Sequence, residues 1–372
     1  MKIAQIPPLY EAVPPRLYGG TERVVSNLCE ALVDLGHEVT LFATGEARTR
    51  AELVVVRDQA IRLDPAPLKS DMAAHLSMLA QVRARKHEFD IIHFHTDMVH
   101  FPFFEDSAAR TVTTLHGRLD LKDLPPVYRS WPKFPLISIS DAQRNYLPFA
   151  NWVGTVYHGM AADLGRWFTA KPRDGYLAFL GRMSPEKGPD RAIAIAKRLG
   201  VPLKMAAKVD TNDAPYFREV VQPLLDHPLI EFVGEINDAQ KPEFLGNARA
   251  LIFPIDWPEP FGLVMIEAMA CGTPVIAYGC GSAPEVVDHG VTGFIVSNED
   301  EACAAVTALD RLDRREVRRR FDRRFSSTAM ARGYLDVYAD RLAKAPFAPE
   351  LARDETELMD RAGGRASFAQ IA

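Results

Sequence analysis

Apolar positions along the chain fall alternately into short continuous runs and helical stripes. KIAQI at residues 2–6 reads as a strand; after a proline-containing loop, Val24, Val25, Leu28, Leu32 and Leu35 share one helical stripe. Gly36 supplies a helix stop and EVTLFAT begins the next strand. Further strands are expected at 90–95 (DIIHFH), 110–115 (RTVTTL) and 135–140 (PLISIS). After about residue 170 the alternation restarts. GYLAFL (175–180), PLKMAAKV (202–209), LIEFV (229–233), ALIFPI (250–255) and PVIAY (274–278) read as strands, with helices at 190–199 and 261–271. Strands separated by helices predict an α/β protein of two Rossmann-like halves, each with a parallel sheet covered on both faces. The expected division is 1–165, 166–328, and a C-terminal helix and tail at 329–372 that crosses back to the first half. A short link near 160–175 suggests a hinge, and ligands belong beyond the carboxyl ends of the strands, in the cleft between the halves.

Composition narrows the classes. At 372 residues the chain exceeds what one core usually serves. A formal net charge of −5 argues against general affinity for nucleic acid. No run is long and apolar enough to span a bilayer, and prolines interrupt the N-terminus before a signal-peptide core could form. Cys29, Cys271, Cys280 and Cys303 are scattered, without a CxxC pair, which suits reduced thiols in a cytosol and offers no zinc site. The arginine-rich stretch 311–324 reads as a solvated helix face.

The most informative segment is Glu259-Pro260-Phe261-Gly262-Leu263-Val264-Met265-Ile266-Glu267. Apart from Glu267, its helix is apolar all round and should be buried, and a buried carboxylate needs a partner. On a continuous helix the two glutamates stand roughly 12 Å apart. That is beyond the roughly 5–9.5 Å of a glycosidase acid–base pair and too far for one shared metal ion. It suits an extended ligand with a ring at each end, with the amides around Phe261, Gly262 and Leu263 facing phosphate between them. Gly181-Arg182-Met183-Ser184-Pro185-Glu186-Lys187-Gly188 follows a strand and offers two cations, which suit a leaving diphosphate. Tyr18-Gly19-Gly20-Thr21-Glu22 puts a glycine pair at a helix N-terminus, where a phosphate can approach the backbone. It departs from the G-x-G-x-x-G fingerprint, so a nicotinamide cofactor is not expected. His116 follows a strand directly and precedes Gly117. His93-Phe94-His95-Thr96-Asp97 places two imidazoles on one strand face near a carboxylate. It therefore admits a metal-dependent hydrolase, though supporting ligands are missing. Asp97 is a weak candidate for facing an acceptor. Ser282 and Glu285 have capping-box spacing, with Pro284 in the first turn.

The Glu259–Glu267 segment resembles the glutamate–seven residues–glutamate motif of retaining GT-B glycosyltransferases of family 4, and recognisable blocks lie at 1–45, 90–160 and 175–300. The resemblance implies transfer of a hexose from a nucleotide-diphosphate sugar, UDP-glucose before GDP-mannose, to a hydroxyl acceptor such as a lipid, polysaccharide or small metabolite. It implies that Glu267 holds the ribose hydroxyls and Glu259 the sugar. Arg182 and Lys187 take the diphosphate, Gly19 and Gly20 lie over it, and His116 stands beside the sugar. His116, Arg182, Lys187 and Glu259 are then the catalytic candidates. Neither a metal nor a cofactor is expected, since the two cations replace the ion. Location is expected to be cytoplasmic, with contact at the inner membrane face left open. A two-domain cleft of this kind also admits a sugar-nucleotide epimerase, a phosphorylase or a non-catalytic nucleotide-sugar-binding protein.

Overall fold

A computed structural model of the chain describes residues 1–16, 19–161 and 175–344. Tyr18, the expected boundary at 165/166, most of the expected hinge and the tail beyond 344 lie outside the described residues.

Two parallel sheets organise the chain. The first is built from β1 (Lys2–Ile6), β2 (Glu38–Thr44), β3 (Glu52–Arg57), β4 (Ile91–Phe94), β5 (Thr111–Thr114), β6 (Leu136–Ser138) and β7 (Trp152–Thr155), in the order 3-2-1-4-5-6-7. The second contains β8 (Tyr176–Arg182), β9 (Leu203–Lys208), β10 (Ile230–Gly234), β11 (Ala248–Phe253), β12 (Val275–Tyr278) and β13 (Gly293–Val296), in the order 10-9-8-11-12-13. Chain order reverses beside β1 in the first sheet and beside β8 in the second, and such switch points open a crevice at the carboxyl ends of the strands. The strands that the hydrophobic pattern failed to predict are β3, β7 and β13. All three are edge strands with partly exposed residues, so a continuous apolar run is not required of them.

Both faces of each sheet are covered. On the first, Phe94, Phe101, Phe104 and Phe134 fill one side. The other side holds Val24, Val25 and Leu28 from α1 (Gly20–Asp34), together with Tyr334 and Tyr338. Those tyrosines belong to the helix Ser327–Lys344, which follows the second sheet in the chain yet packs against α1. The stripe read from sequence in α1 is the buried one: Val24, Val25, Leu28 and Leu32 are all at most 1% exposed.

The structure corrects two expectations. The arginine-rich helix Arg314–Arg324 is solvated at Arg319 and Arg323, but Arg314 is only 4% exposed. Its guanidinium donates to the carbonyls of Ala248 (2.9 Å) and Gly246 (2.8 Å) and to Thr273 Oγ1 (2.6 Å), and Arg318 donates to Ala270 O at 2.7 Å. Buried carbonyls at element ends need donors, and a long side chain can supply several at once. Nor do Ser282 and Glu285 form a capping box. Ser282 Oγ donates to Phe261 O (2.8 Å), while Glu285 accepts from the backbone N–H groups of Asp141 and Ala142, both at 2.7 Å. Those amides open the short helix Asp141–Arg144 in the other half, so the carboxylate serves an orphan helix start across the interface instead of its own.

Candidate active site

Two helices of the second half flank β11 in the chain, α2 (Lys241–Gly246) before it and α3 (Leu263–Ala270) after it. Between β11 and α3 the chain runs through Pro254–Gly262. Gly262, the N-cap of α3, has φ +80°, a conformation that glycine adopts without the strain a Cβ would bring. The helix is therefore shorter than the expected 261–271, and Glu259 stands in the preceding loop. The 12 Å spacing along one helix axis does not apply.

Both glutamates are buried and paired. Glu267 Oε1 lies 2.8 Å from Lys241 Nζ, at the start of α2. Burial is the largest single influence and works against the Lys241 charge, but the Glu267 and Asp238 carboxylates together outweigh it and raise the lysine above its usual range. Glu259 Oε2 accepts from Lys187 Nζ and from Trp257 Nε1 (2.9 Å), and the Lys187 ammonium also sits 4.5 Å from the centre of the Trp257 ring. Lys187 reaches this position because Gly188 (φ +68°) folds the 184–188 loop against the segment after β11, so closely that a Cβ would stand 2.4 Å from Pro254 O. Arg182, the last residue of β8, is held by Glu186 (2.6 Å) and Asp213 (3.2 Å).

From the first half comes the glycine pair that opens α1. A Cβ on Gly19 would lie 2.9 Å from Pro15 Cβ, and one on Gly20 would lie 3.5 Å from Leu263 Cδ1 of the second half. Arg23, one turn along α1, forms an ion pair with Asp238, which also lies 3.2 Å from Lys241. His116 follows β5. Its Nε2 is 2.8 Å from His95 Nδ1, and its ring stacks on His158 at 5.1 Å and 18°. His116 keeps one face open to the cleft, yet lies deep enough that burial pushes its pKa down to about 3.

These elements enclose a cleft of about 500 Å³ lined by both halves. All of Gly19, Gly20, His116, Arg182, Lys187, Glu259, Phe261, Gly262, Leu263 and Glu267 border it. A smaller hollow of about 180 Å³ adjoins it at Arg118, Glu259 and Pro260.

The chain matches the family described as "Glycosyltransferase Family 4" over residues 18–174 and the one described as "Glycosyl transferases group 1" over 166–327. The chain belongs to the family 4 glycosyltransferases. It is 26% identical over 341 residues to a phosphatidyl-myo-inositol mannosyltransferase of Mycolicibacterium smegmatis, covering 86% of each protein. It is 28% identical over 415 aligned positions to a glycogen synthase of Mycobacterium tuberculosis, covering 94% of this chain and 98% of that one. Among solved structures it resembles AviGT4, a glycosyltransferase involved in avilamycin A biosynthesis, with a TM-score of 0.72 and 25% identity over 93% of this chain and 99% of that one. It also shares its fold with sucrose-phosphate synthase of Thermosynechococcus elongatus, with a TM-score of 0.75 and 21% identity over 93% of this chain and all of that one. The architecture is GT-B: two Rossmann-like α/β halves around a cleft.

In this glycosyltransferase the hydrolase reading loses its basis. His93 is hydrogen-bonded to Tyr338 (2.7 Å) and Thr114 (2.8 Å), and His95 to Gln5 and His116 (both 2.8 Å). Asp97 is exposed at a positive φ of 50° after β4, and none of the three borders the cleft. Among the described residues no three His, Cys, Asp or Glu side chains gather to hold a metal ion. Neither the matched families nor these relatives support an epimerase.

Several cleft residues escaped the sequence reading. His158 follows β7, an edge strand without a clear pattern, so no strand end marked its position. Arg23 and Asp238 are brought together from 215 residues apart, and Lys241 reaches Glu267 from 26 residues away; charged residues at helix starts carry no signal of such pairing.

Proposed function

We propose that this glycosyltransferase moves a hexose from a nucleoside diphosphate sugar to a hydroxyl acceptor with retention of configuration, UDP-glucose being the first candidate donor and GDP-mannose the second. One observation carries the reading. The ion pairs Lys187–Glu259 and Lys241–Glu267 border a single cleft, and between the two glutamates in the chain lie the amides that open α3. An extended ligand with a hydroxylated ring at each end and phosphates between them matches that order of groups.

In this reading Glu267 accepts hydrogen bonds from the ribose hydroxyls and Glu259 from the hexose. Arg182 and Lys187 neutralise the charge that grows on the departing diphosphate. The bond from the anomeric carbon to phosphate breaks while the acceptor oxygen bonds that carbon from the same face. The acceptor proton passes to the departing phosphate oxygen. His116 orients the sugar. The cations do what a metal ion does elsewhere, so the scheme calls for no metal or cofactor. Glycine at positions 19 and 20 leaves room over the phosphates, and the acceptor lies toward the first half.

The relatives pull the sugar in two directions, one being a mannosyltransferase and another a glycogen synthase. A structural neighbour, HepE of Anabaena, was crystallised with UDP and glucose. A lipid, a polysaccharide and a small metabolite all remain within the acceptor class. No helix among the described residues is long and apolar enough to cross a membrane. A cytoplasmic site of action, with contact at the inner membrane face where the acceptor is a lipid, completes the proposal.

A thermal-shift panel of UDP, GDP, UDP-glucose and GDP-mannose tests it. A matching nucleotide at a hundred times its Kd should stabilise the fold by about 2.7 kcal/mol. If no nucleotide or nucleotide sugar raises the melting temperature, the donor assignment fails.

A further inference from the structure

We propose that Trp257 is a positioning residue of this glycosyltransferase: its indole N–H fixes the plane of the Glu259 carboxylate, so that Oε1 is presented to a hydroxyl of the transferred sugar. The assignment rests on the proposed function in one respect, that Glu259 meets the sugar.

The backbone brings the two side chains together before either meets a ligand. Trp257 and Glu259 flank Pro258 in the loop between β11 and α3. The N–H of Glu259 donates to the carbonyl of Trp257 at 2.8 Å, a three-residue turn centred on Pro258. Proline holds φ near −65°, close to what the inverse form of that turn needs, so Trp-Pro-Glu favours it locally. From the other side the N–H of Ser282 donates to the carbonyl of Glu259 at 3.0 Å. Gly281 packs so closely there that a Cβ would lie 2.4 Å from both the backbone nitrogen and the backbone oxygen of Glu259. The glutamate backbone thus has little freedom, and rotation of its carboxylate is what remains to be set.

That rotation depends on which donors reach which oxygen. Lys187 Nζ and Trp257 Nε1 both donate to Oε2, the indole at 2.9 Å. Oε1 takes no hydrogen bond from the described residues, and the Glu259 side chain keeps 9% of its surface exposed where it borders the cleft and the adjoining hollow. The two donors are not equivalent. An ammonium is a point charge on a flexible stem with three rotatable N–H groups, and it attracts either carboxylate oxygen. The terminal torsion of a glutamate is itself broad. Lys187 by itself therefore leaves the two oxygens interchangeable. An indole N–H points one way from a rigid ring, and this ring is held. Its centre lies 4.5 Å from Lys187 Nζ and 5.5 Å from the guanidinium carbon of Arg118 in the first half. Asp120 fixes Arg118 in turn through two hydrogen bonds of 2.7 and 2.6 Å.

A division of labour follows. Lys187 is wanted in two places, at Glu259 and at the diphosphate whose charge grows as the sugar leaves. With the indole on Oε2, the ammonium can turn toward phosphate while Glu259 keeps its plane and Oε1 keeps its hydroxyl. Glu267, at the end of the donor where no bond changes, is hydrogen-bonded among the described residues only by the flexible Lys241. The rigid donor stands at the reacting end.

Trp257→Phe keeps an aromatic ring for the two cations and removes the N–H. Isothermal titration measures Kd for a nucleoside diphosphate and for its sugar conjugate (UDP with UDP-glucose, GDP with GDP-mannose), and the ratio of the two isolates the sugar. Trp257→Phe should shift that ratio against the sugar conjugate about fivefold, the effect of one hydrogen bond, with Kd for the nucleoside diphosphate unchanged. In a Glu259→Ala background the same substitution should have no further effect on the ratio, because Trp257 acts through that carboxylate. Benzothienylalanine, a tryptophan isostere with sulfur in place of the N–H, should reproduce the shift at position 257, and it decides should the phenylalanine variant fail to fold. An unchanged ratio in both Trp257 variants overturns the proposal, as does a shift that persists in full without Glu259. Failure of the underlying reading looks different. If neither donor binds, or if Glu259→Ala itself leaves the ratio unchanged, Glu259 does not meet the sugar and Trp257 loses its role with it. A ratio that responds to Glu259→Ala but not to Trp257 sinks the positioning role and leaves the proposed function standing.

Discussion

Replacing Glu267 separates a ligand-binding carboxylate from one that only neutralises its neighbour. At 2.8 Å from Lys241, and with an effective dielectric of about 20, the gross attraction between the two charges is about 6 kcal/mol, most of which offsets their desolvation. Removing the carboxylate alone leaves the ammonium with Asp238 at 3.2 Å and with 21% of its side chain exposed. We therefore expect Glu267→Ala to cost about 2 kcal/mol of stability, below the roughly 3–5 kcal/mol typical of a fully buried broken pair. Donor binding carries a separate term. A hydrogen bond to a charged group is worth about 1.5–3 kcal/mol, so Kd for the nucleoside diphosphate should rise by about 10- to 150-fold. Glu267→Gln keeps a neutral acceptor of the same shape and should lose about 1 kcal/mol, or about fivefold. Isothermal titration with the folded variants, checked by circular dichroism and calorimetry, measures both quantities. A lowered melting temperature with Kd unchanged would show that Glu267 serves Lys241 and not the ribose, and the donor's placement would have to be redrawn.

Other consequences are open to simpler tests. For Lys187→Ala, kcat should fall more than donor affinity, because charge grows on the diphosphate in the transition state; intact turnover would leave Lys187 as only the partner of Glu259. Glu285→Ala strips the carboxylate from two amides of the opposite half and from the Tyr157 hydroxyl at 3.1 Å. It should cost about 1–2 kcal/mol, seen as a melting temperature lower by a few degrees; no shift would mean that water replaces the cap without loss. His93, His95, His100 and His158 are each held well below the usual histidine range, chiefly by burial. The folded chain thus refuses protons that the unfolded chain takes up below about pH 6.5. Their contribution is complete above that pH and is lost as pH falls, by up to about 1.4 kcal/mol per pH unit for each histidine. Denaturant midpoints that stay level from pH 7 to 5 would contradict this burial, whereas His100→Phe should flatten the slope.

Much of the layout was legible in the sequence because it depends on local periodicity. Central strands such as β4, β5 and β11 are nearly all buried and rich in β-branched or apolar residues, so they stood out as short strand-forming runs, and the stripe in α1 repeated at helical spacing. Glu267 stood out as one carboxylate in an otherwise apolar helix, whereas the positive φ of Gly262, which starts that helix later than expected, did not. Pairing was another matter. Which cation meets each glutamate, Lys241 with Glu267 and Lys187 with Glu259, depends on how strands far apart in the chain lie side by side. The same is true of Glu285 reaching the amides of Asp141 and Ala142, and of Tyr338 closing a chain of hydrogen bonds that ends at His116. Sequence alone determined the two-sheet α/β design and the residue types that border the cleft, since burial periodicity and turn chemistry are short-range properties. Tertiary structure alone decided which charges neutralise one another and which carboxylate caps which helix start, because those depend on distances of about 3 Å between atoms that no local pattern brings together.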